Sequence, residues 1–283
     1  MTARSGGPQS GKAIVLAALA VLAIAISGAG AWWWYADTRA QARAAEKLDA
    51  DSLEIVYAPV LGETIGKALE AICEGCGRRV VLLEMMDAAD PDLYDIAELA
   101  QLETLNLSLC SITDAGLPRI HGLGGLKHLD LAYNSEISAA GVTALLARID
   151  PVSLDLGGID VTPELADALG AEPRLEKLVL SDSVMQTDGL GWLARRQSLR
   201  ELSLRSSRGW DSSQAAALAA AAALEQLDLS NTRVTDAVVP ELAKLTKLKR
   251  LKAVRTGLTE EGVAPLRARG VEVVLAAPRP ARR

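Results

Sequence analysis

The fold is decided by one stretch, Leu224-Glu-Gln-Leu-Asp-Leu-Ser-Asn-Thr-Arg-Val-Thr-Asp-Ala-Val-Val-Pro-Glu-Leu-Ala-Lys-Leu-Thr-Lys247. It opens as Leu-x-x-Leu-x-Leu and continues with Thr-Asp and apolar residues at helical spacing. Successive equivalent stretches begin 24 or 25 residues apart, and a fixed period of this length is typical of a solenoid of stacked units. The seven units, numbered 1 to 7 below, begin at Leu102, Leu126, Pro151, Leu175, Leu199, Leu224 and Leu248.

Each unit is predicted to form one short strand followed by one short helix. Counted from the first residue, positions 1, 4 and 6 are expected to point inward, whereas positions 3 and 5 point to the opposite face because strand side chains alternate. A Thr followed by an acid or Pro, as at Thr113, Thr162, Thr235 and Thr259, predicts the N-cap of the helix. A polar or thiol side chain recurs at position 9, and we expect it to be buried and bonded to the backbone.

The segment Cys110-Ser-Ile-Thr-Asp-Ala-Gly-Leu117, together with the Leu-x-x-Leu-x-Leu start, resembles leucine-rich repeats of the cysteine-containing, ribonuclease-inhibitor-like subclass. The resemblance covers residues 78–275 and departs from the pattern at Pro151 and Met185. It implies an α/β solenoid, a curved horseshoe with a parallel β-sheet on the concave side and short α-helices on the convex side. Members of this family are overwhelmingly binding modules, so the resemblance implies protein interaction without catalysis.

The flanking sequence predicts the remaining organisation. A degenerate unit starting at residue 78 is expected to cap the N-terminal end, because a terminal unit has a face with no neighbour. A closing strand is predicted at 271–275 and a disordered tail at 276–283. Residues 37–77 are expected to form a helical stalk and an N-terminal cap with an amphipathic helix at 63–72.

A lone C-x-x-C pair, Cys73 and Cys76, lies in the predicted cap. It follows the predicted helix, at the end where the helix dipole disfavours a thiolate. A structural disulfide or an idle pair is therefore favoured over a redox pair, and a zinc site would need two more ligands than the nearby sequence offers.

The N-terminal region predicts a membrane segment. Residues 1–12 form a polar tail, and residues 13–36 carry no charge, which is long enough to span about 30 Å of hydrocarbon as a single helix. The run ends in Trp32-Trp-Trp-Tyr35, residues that favour the membrane interface. The alternative is a signal peptide cleaved near Ala29-Gly-Ala31, which would give a secreted protein. Either prediction places the repeats outside the cytoplasm, in the periplasm or at the cell surface, and with the Ala/Arg-rich composition suggests a bacterial source.

The solvent-facing positions of the predicted sheet provide the candidate ligand site. Solenoids usually bind on their extended concave surface, and here that surface is polar with few aromatic residues. We therefore expect a modest or charge-steered contact with a protein or envelope component. The candidate binding residues are Asn106, His128, Asp130, Ser153, Asp155, Lys177, Glu201, Ser203, Arg205, Asp228, Arg250 and Lys252.

Charge limits the classes of partner. The net charge of −6 argues against a nucleic-acid ligand, which requires a basic face. Acids are concentrated at residues 84–114 and bases at 244–283. This segregation is consistent with head-to-tail self-association, or simply with solvated terminal units.

Two catalytic alternatives use residues already named. Ser153, His128 and Asp130 are residue types of a nucleophile, base and acid on adjacent predicted strands, but an open sheet face excludes little water. His128, Asp130 and Asp155 could also bind a metal, and Cys73 with Cys76 could be a thiol oxidoreductase pair. The favoured prediction is a non-enzyme with no metal and no cofactor; the glycines at 122–125 follow no predicted strand and are no phosphate loop.

Overall fold

The structure, a computed structural model, describes residue 44 and residues 52–59, 78–186, 190–195 and 197–275. The predicted polar tail, the membrane or signal segment at 13–36, most of the stalk and cap, Cys73, Cys76 and the C-terminal tail lie outside these residues. Within the described ranges, no helix has both the length and the apolar character needed to cross a bilayer.

The described strands form one open sheet in sequential order. Nine of them, β2 to β10, are parallel, and β1 pairs antiparallel with β2. The strands are β1 (Ser52–Pro59), β2 (Arg78–Met85), β3 (Thr104–Asn106), β4 (His128–Asp130), β5 (Ser153–Asp155), β6 (Lys177–Val179), β7 (Glu201–Ser203), β8 (Gln226–Asp228), β9 (Arg250–Lys252) and β10 (Glu272–Val274).

Short helices return the chain from one strand to the next. The α-helices are α1 (Asp92–Ala97), α2 (Ala139–Leu146), α3 (Pro163–Ala171), α4 (Ala215–Ala219), α5 (Val239–Leu242) and α6 (Ala264–Ala268). Turns of 3₁₀ helix occupy Leu117–Gly122, Gly191–Arg195, Ser212–Gln214 and Asp236–Val238. Brief returns of this kind let consecutive strands pair in parallel at every step.

A ladder of leucines forms the core. The residue at position 4 is the middle residue of each short strand, and it is nearly or fully buried in all seven units, at Leu105, Leu129, Leu154, Leu178, Leu202, Leu227 and Leu251. These side chains join one continuous cluster with the buried helix residues, such as Leu165 and Leu242. The predicted inward face is therefore confirmed, and the opposite sheet face is left to solvent.

The N-terminal cap differs from its prediction in two respects. Leu82 pairs with Thr104, so Val80 is the residue that corresponds to Leu102. The cap unit therefore begins two residues later than the predicted start at Arg78. The sheet edge beyond β2 is covered by β1, an antiparallel strand that begins at Ser52 and that the repeat pattern does not indicate. The helix predicted at 63–72 lies outside the described residues.

Buried polar side chains at position 9 bond the backbone where the chain leaves the sheet, as predicted. Asn134 is 2% exposed, donates to the carbonyls of Leu107 (2.7 Å) and Leu131 (3.0 Å), and accepts the Ile112 N–H (3.1 Å). Thr232 Oγ1 donates to the Leu229 carbonyl at 2.6 Å. Cys110 occupies the same position with its Sγ 3.6 Å from the Met85 carbonyl, which identifies it as a ladder residue.

The threonines predicted to cap helices differ in the bonds that they make. Thr162 caps α3 as predicted, with its Oγ1 accepting the Leu165 N–H. Thr235 stands at the N-cap of the Asp236–Val238 turn, as predicted, although its hydroxyl makes no capping bond. The cap predicted at Thr113 is wrong: its Oγ1 accepts the Ala115 N–H, but the next helical turn starts at Leu117 with Gly116 as its N-cap.

An aspartate instead reaches into the following unit. Asp114 Oδ1 accepts the Ser138 N–H (2.8 Å) and its Oδ2 accepts the Ser138 hydroxyl (2.6 Å). A Cβ on Gly141 would stand 2.0 Å from Asp114 Oδ1, so the glycine leaves room for the carboxylate. We call this arrangement the carboxylate latch; it recurs at Asp90–Thr113–Gly116 and Asp236–Thr259–Gly262.

Candidate functional site

The strand register aligns eleven of the twelve predicted site residues in two rows on the exposed sheet face, and Arg205, at position 7, lies beside them. Position 3 forms the row Thr104, His128, Ser153, Lys177, Glu201, Gln226 and Arg250; position 5 forms the row Asn106, Asp130, Asp155, Val179, Ser203, Asp228 and Lys252. Neighbours in a row are separated by the strand spacing of about 4.8 Å. The structure therefore brings these side chains together in the predicted order.

Position 5 has a structural task as well. The side chains of Asp130, Asp155 and Asp228 each accept, at 2.9 Å, the backbone N–H two residues further on. Asn106 accepts the Ser108 N–H in the same way. These bonds hold the turn that follows the strand, so the side chains are fixed before any ligand arrives.

Two carboxylates stand side by side in the N-terminal half of the face. Asp155 pairs across the strands with Asp130. Burial raises the pKa of Asp155 to about 6, the Asp130 charge adds to the rise, and the Gly157 N–H and Lys177 oppose it. Burial likewise raises the pKa of Asp130, against the Ala132 N–H and Lys177. A shallow open depression surrounds the pair, lined also by Glu84, His128 and Ser153.

The C-terminal half of the face holds a second shallow depression with mixed charge. Lys177 Nζ lies 3.8 Å from a Glu201 carboxylate oxygen, and Gln226 donates to Glu201 at 2.7 Å. Arg250 is paired with Glu272 at 2.8 Å. Lys252 lines the same depression and projects into solvent. A ligand here would meet charges that are mostly compensated already.

The sheet edge at which the strands begin, which we call the amino edge, carries an internally neutralised ladder at position 2. Arg200 lies between Glu176 (3.5 Å) and Glu225 (2.9 Å), and Lys249 bonds Glu225 at 2.5 Å. The bonds from Lys249 and Arg200 lower the pKa of Glu225. Exposed pairs of this kind contribute little to stability individually, but they leave this edge with balanced charge.

The opposite edge, where the strands end, contains residues that the sequence prediction missed. Position 8 adopts a left-handed backbone in the cap and in every unit, with φ between 57° and 61° for the non-glycine residues. Tyr133 and Leu109 occupy this row, and both are exposed. In a sequence, Gly or Asn indicates a left-handed residue. A Leu or Tyr at position 8 therefore does not indicate that the backbone is left-handed.

The geometry does not support the catalytic alternative at Ser153. Ser153 pairs with His128 across the strands, but within the described residues no hydrogen bond joins Ser153, His128 and Asp130. The Asp130 carboxylate is bonded to Ala132 instead. Among the described residues there is also no group of three His, Cys, Asp or Glu side chains that could hold a metal ion.

A family model described as a leucine-rich repeat matches residues 101–117 and 126–146. These two segments are leucine-rich repeats. Its structure is similar to that of an internalin C2 from Listeria monocytogenes, with 19% identity, a TM-score of 0.53, and 84% of this chain and 92% of that chain covered. No curated protein matches the sequence.

Two further solved structures are less similar. An internalin (inlF) from L. monocytogenes has 16% identity and a TM-score of 0.47 over 75% of this chain and 74% of that chain. A leucine-rich-repeat protein from Leptospira interrogans has 19% identity and a TM-score of 0.44 over 64% and 44%. The likeness to internalin C2 concerns the fold alone, and it confirms an open parallel sheet with short helices. The ribonuclease-inhibitor-like subclass and the horseshoe curvature stay predictions.

Proposed function

We propose that the chain is a non-catalytic protein-interaction module that binds a protein or an envelope ligand on the exposed face of its sheet. The observation that carries this proposal is the pair of largely polar rows, which seven strands of fixed register present to solvent. Four of the side chains, Asn106, Asp130, Asp155 and Asp228, are already held by bonds to the backbone. A prearranged surface of this kind lowers the ordering cost of binding. The two depressions on the described part of this face are shallow and open.

The proposal includes a location. Residues 13–36 would anchor the protein in a membrane as a single pass, with the repeats in the periplasm or at the cell surface; cleavage of the same segment would give a secreted form. Head-to-tail association between acidic and basic ends is the self-association consistent with the charge distribution.

The test is photo-crosslinking of the full chain in membranes of the source organism, with the wild type compared with two matched variants. The face variant carries Asp130→Asn, Asp155→Asn and Asp228→Asn, which keep a side-chain acceptor for the turn while removing charge. The control variant carries Glu136→Gln, Glu164→Gln and Glu261→Gln, which remove three charges away from the two rows.

A partner crosslinked by the wild type and the control but lost with the face variant would support binding at this face. Retention of the same partner by the face variant would move the site elsewhere on the molecule. Failure of the wild type to enrich any protein over an unrelated membrane protein would refute the interaction module itself.

A further inference from the structure

At the edge of the sheet where the strands end, backbone hydrogen bonds continue to join successive units. At position 8 the backbone N–H of one unit donates to the position 7 carbonyl of the next, as from Leu109 to Ala132 (2.9 Å) and from Tyr133 to Gly157 (2.7 Å). The same bond recurs from Asp182, Ser206 and Asn231. Positions 7, 8 and 10 of the successive units, which we call the carboxyl edge, are therefore held at strand spacing beyond the strands themselves.

The N-terminal part of the carboxyl edge carries three large exposed apolar side chains. Met86, Leu109 and Tyr133 lie in the cap, unit 1 and unit 2, with 59%, 73% and 48% of their surface exposed. Among the described residues, the other large exposed apolar side chain is Tyr94, which lies under the Arg119 guanidinium. Leu109 combines a left-handed backbone with an apolar side chain in water. Both features are unfavourable for folding, so the fold itself does not explain a leucine there.

Tyr133 is fixed in a presenting position. Its hydroxyl donates to Asp182 Oδ2 at 2.8 Å, two units further along the edge. Its ring crosses Gly158, where an added Cβ would lie 3.2 Å from Tyr133 Cδ1. An aromatic ring held in one orientation loses little conformational entropy when a ligand packs against it.

The C-terminal part of the carboxyl edge is basic. Positions 7, 8 and 10 of units 5 to 7 carry four exposed arginines and no acid: Arg205, Arg208, Arg233 and Arg255. Within the described residues none of the four takes part in an ion pair, in contrast to Arg200 and Lys249 on the amino edge. The same positions of the cap and units 1 to 4 carry three acids and no base.

From these observations we infer that a protein ligand docks along the carboxyl edge through an acidic segment that also carries a large apolar side chain. The apolar side chain packs on Leu109 and Tyr133, and the carboxylates lie over the arginines of units 5 to 7. Tyrosine and arginine are residue types enriched in binding hot spots, and Tyr133 with the four arginines lies beside the sheet face. This inference rests on the proposed function and names the chemistry of the partner.

The spacing of the edge sets the length of the segment. Unit 2 and unit 5 are three strand spacings apart, about 14 Å, and unit 2 and unit 7 are about 24 Å apart. An extended chain advances about 3.3 Å per residue, so the carboxylates should follow or precede the apolar residue by about four to seven positions. A uniformly anionic polymer or membrane fits less well, because Asp87 and Asp160 on the same edge would repel it.

The experiment measures binding of a fluorescent synthetic peptide to the full chain in mild detergent by anisotropy. The probe has a Leu-Trp anchor, a Gly/Ser spacer of about five residues and a run of glutamates. Two comparison peptides replace the glutamates with lysines or the anchor with Ser-Ser. We expect each replacement to weaken binding about tenfold or more.

Variants of the protein locate the site. Arg205→Glu with Arg233→Glu should weaken the probe about tenfold, and Leu109→Asn should weaken it several-fold because Asn suits the left-handed backbone but offers no apolar contact. The matched control, Arg148→Glu with Lys247→Glu, makes the same change in net charge at exposed positions between units and should bind like the wild type.

Three outcomes would overturn the inference: no binding of the probe, equal loss in the arginine variant and the control, or equal binding of the peptide without its anchor. Displacement of the probe by a duplex DNA or an anionic vesicle at the same charge concentration would point to a general polyanion surface and overturn it too. If the peptide experiment fails but a crosslinked partner still depends on Asp130, Asp155 and Asp228, the proposed function stands and only this inference is refuted. Absence of any specific partner would remove both.

Discussion

Replacing Asp155 with Asn should stabilise the protein at neutral pH. Burial and the neighbouring Asp130 raise the pKa of Asp155 to about 6, so at pH 7 the folded protein holds an unfavourable charge there. Asn can keep the turn, because Asn106 at the equivalent position accepts the Ser108 N–H just as Asp155 accepts that of Gly157. The substitution thus removes the charge and retains the hydrogen bond.

The pKa sets both the size and the sign of the effect. A carboxyl group whose pKa rises from 3.8 to about 6 destabilises the folded state by at most about 3 kcal/mol when ionised. Asp155 is only partly buried, and solvent screening reduces the expected gain of the Asn variant to about 1–2 kcal/mol at pH 7. The folded wild type binds this proton more tightly than the unfolded chain, so its stability falls as the pH rises from about 4 to about 6. The Asn variant does not lose stability in this way. The difference in unfolding free energy between the variant and the wild type should therefore grow as the pH rises from about 4 to about 6.

The assay is urea denaturation of the full chain in mild detergent, followed by far-UV circular dichroism near pH 4, pH 5 and pH 7. Asp228→Asn is the matched control, because Asp228 accepts the Ser230 N–H in the same way but is flanked across the strands by Ser203 and Lys252. No comparable gain is expected for it. An Asp155→Asn variant that is less stable at pH 7, or a difference that does not change with pH, would refute the reasoning.

Three further predictions use the same denaturation assay. Gly141→Ala should destabilise the wild type by about 1 kcal/mol, because the new Cβ displaces the Asp114 carboxylate, but should stabilise an Asp114→Ala variant by a similar amount through helix propensity; the same sign in both backgrounds would exclude the latch. Asn134→Leu should cost about 3–5 kcal/mol because it leaves three backbone groups without their partner, and a loss below about 1 kcal/mol would show that those bonds are replaceable. Leu109→Asn should raise stability by about 0.5 kcal/mol, since Asn tolerates a left-handed backbone better than Leu; a loss of stability would mean that the leucine packs against the fold.

The rows of the sheet could be predicted because two simple periods act together. The fixed distance between units places Asp130 next to Asp155, and the alternation of strand side chains puts both on the solvent face. The cap was misplaced by two residues because the apolar run Val80 to Leu83 lacks the Leu-x-x-Leu-x-Leu spacing that would fix its register. The unit before Leu102 is also shorter than the others.

Contacts between units were harder to predict. The Thr-Asp pattern was interpreted as a local capping signal, but the partner of Asp114 is Ser138, and the space for its carboxylate comes from Gly141 in the same later unit. The sequence of a single unit does not show that its aspartate accepts hydrogen bonds from the following unit. The antiparallel β1 was missed for a related reason. Its partner β2 follows only after residues 60–77, and β1 lies outside the repeat pattern that predicts the other strands.

The carboxylate latches are found at the junctions of the cap with unit 1, unit 1 with unit 2, and unit 6 with unit 7. In a one-dimensional array each end unit has a single neighbour and is the first to peel away. The carboxylate latches near the two ends add hydrogen bonds between units there, and these bonds oppose such local unfolding. Under tension, or in the presence of a protease, we therefore expect the middle units to open before the two terminal segments.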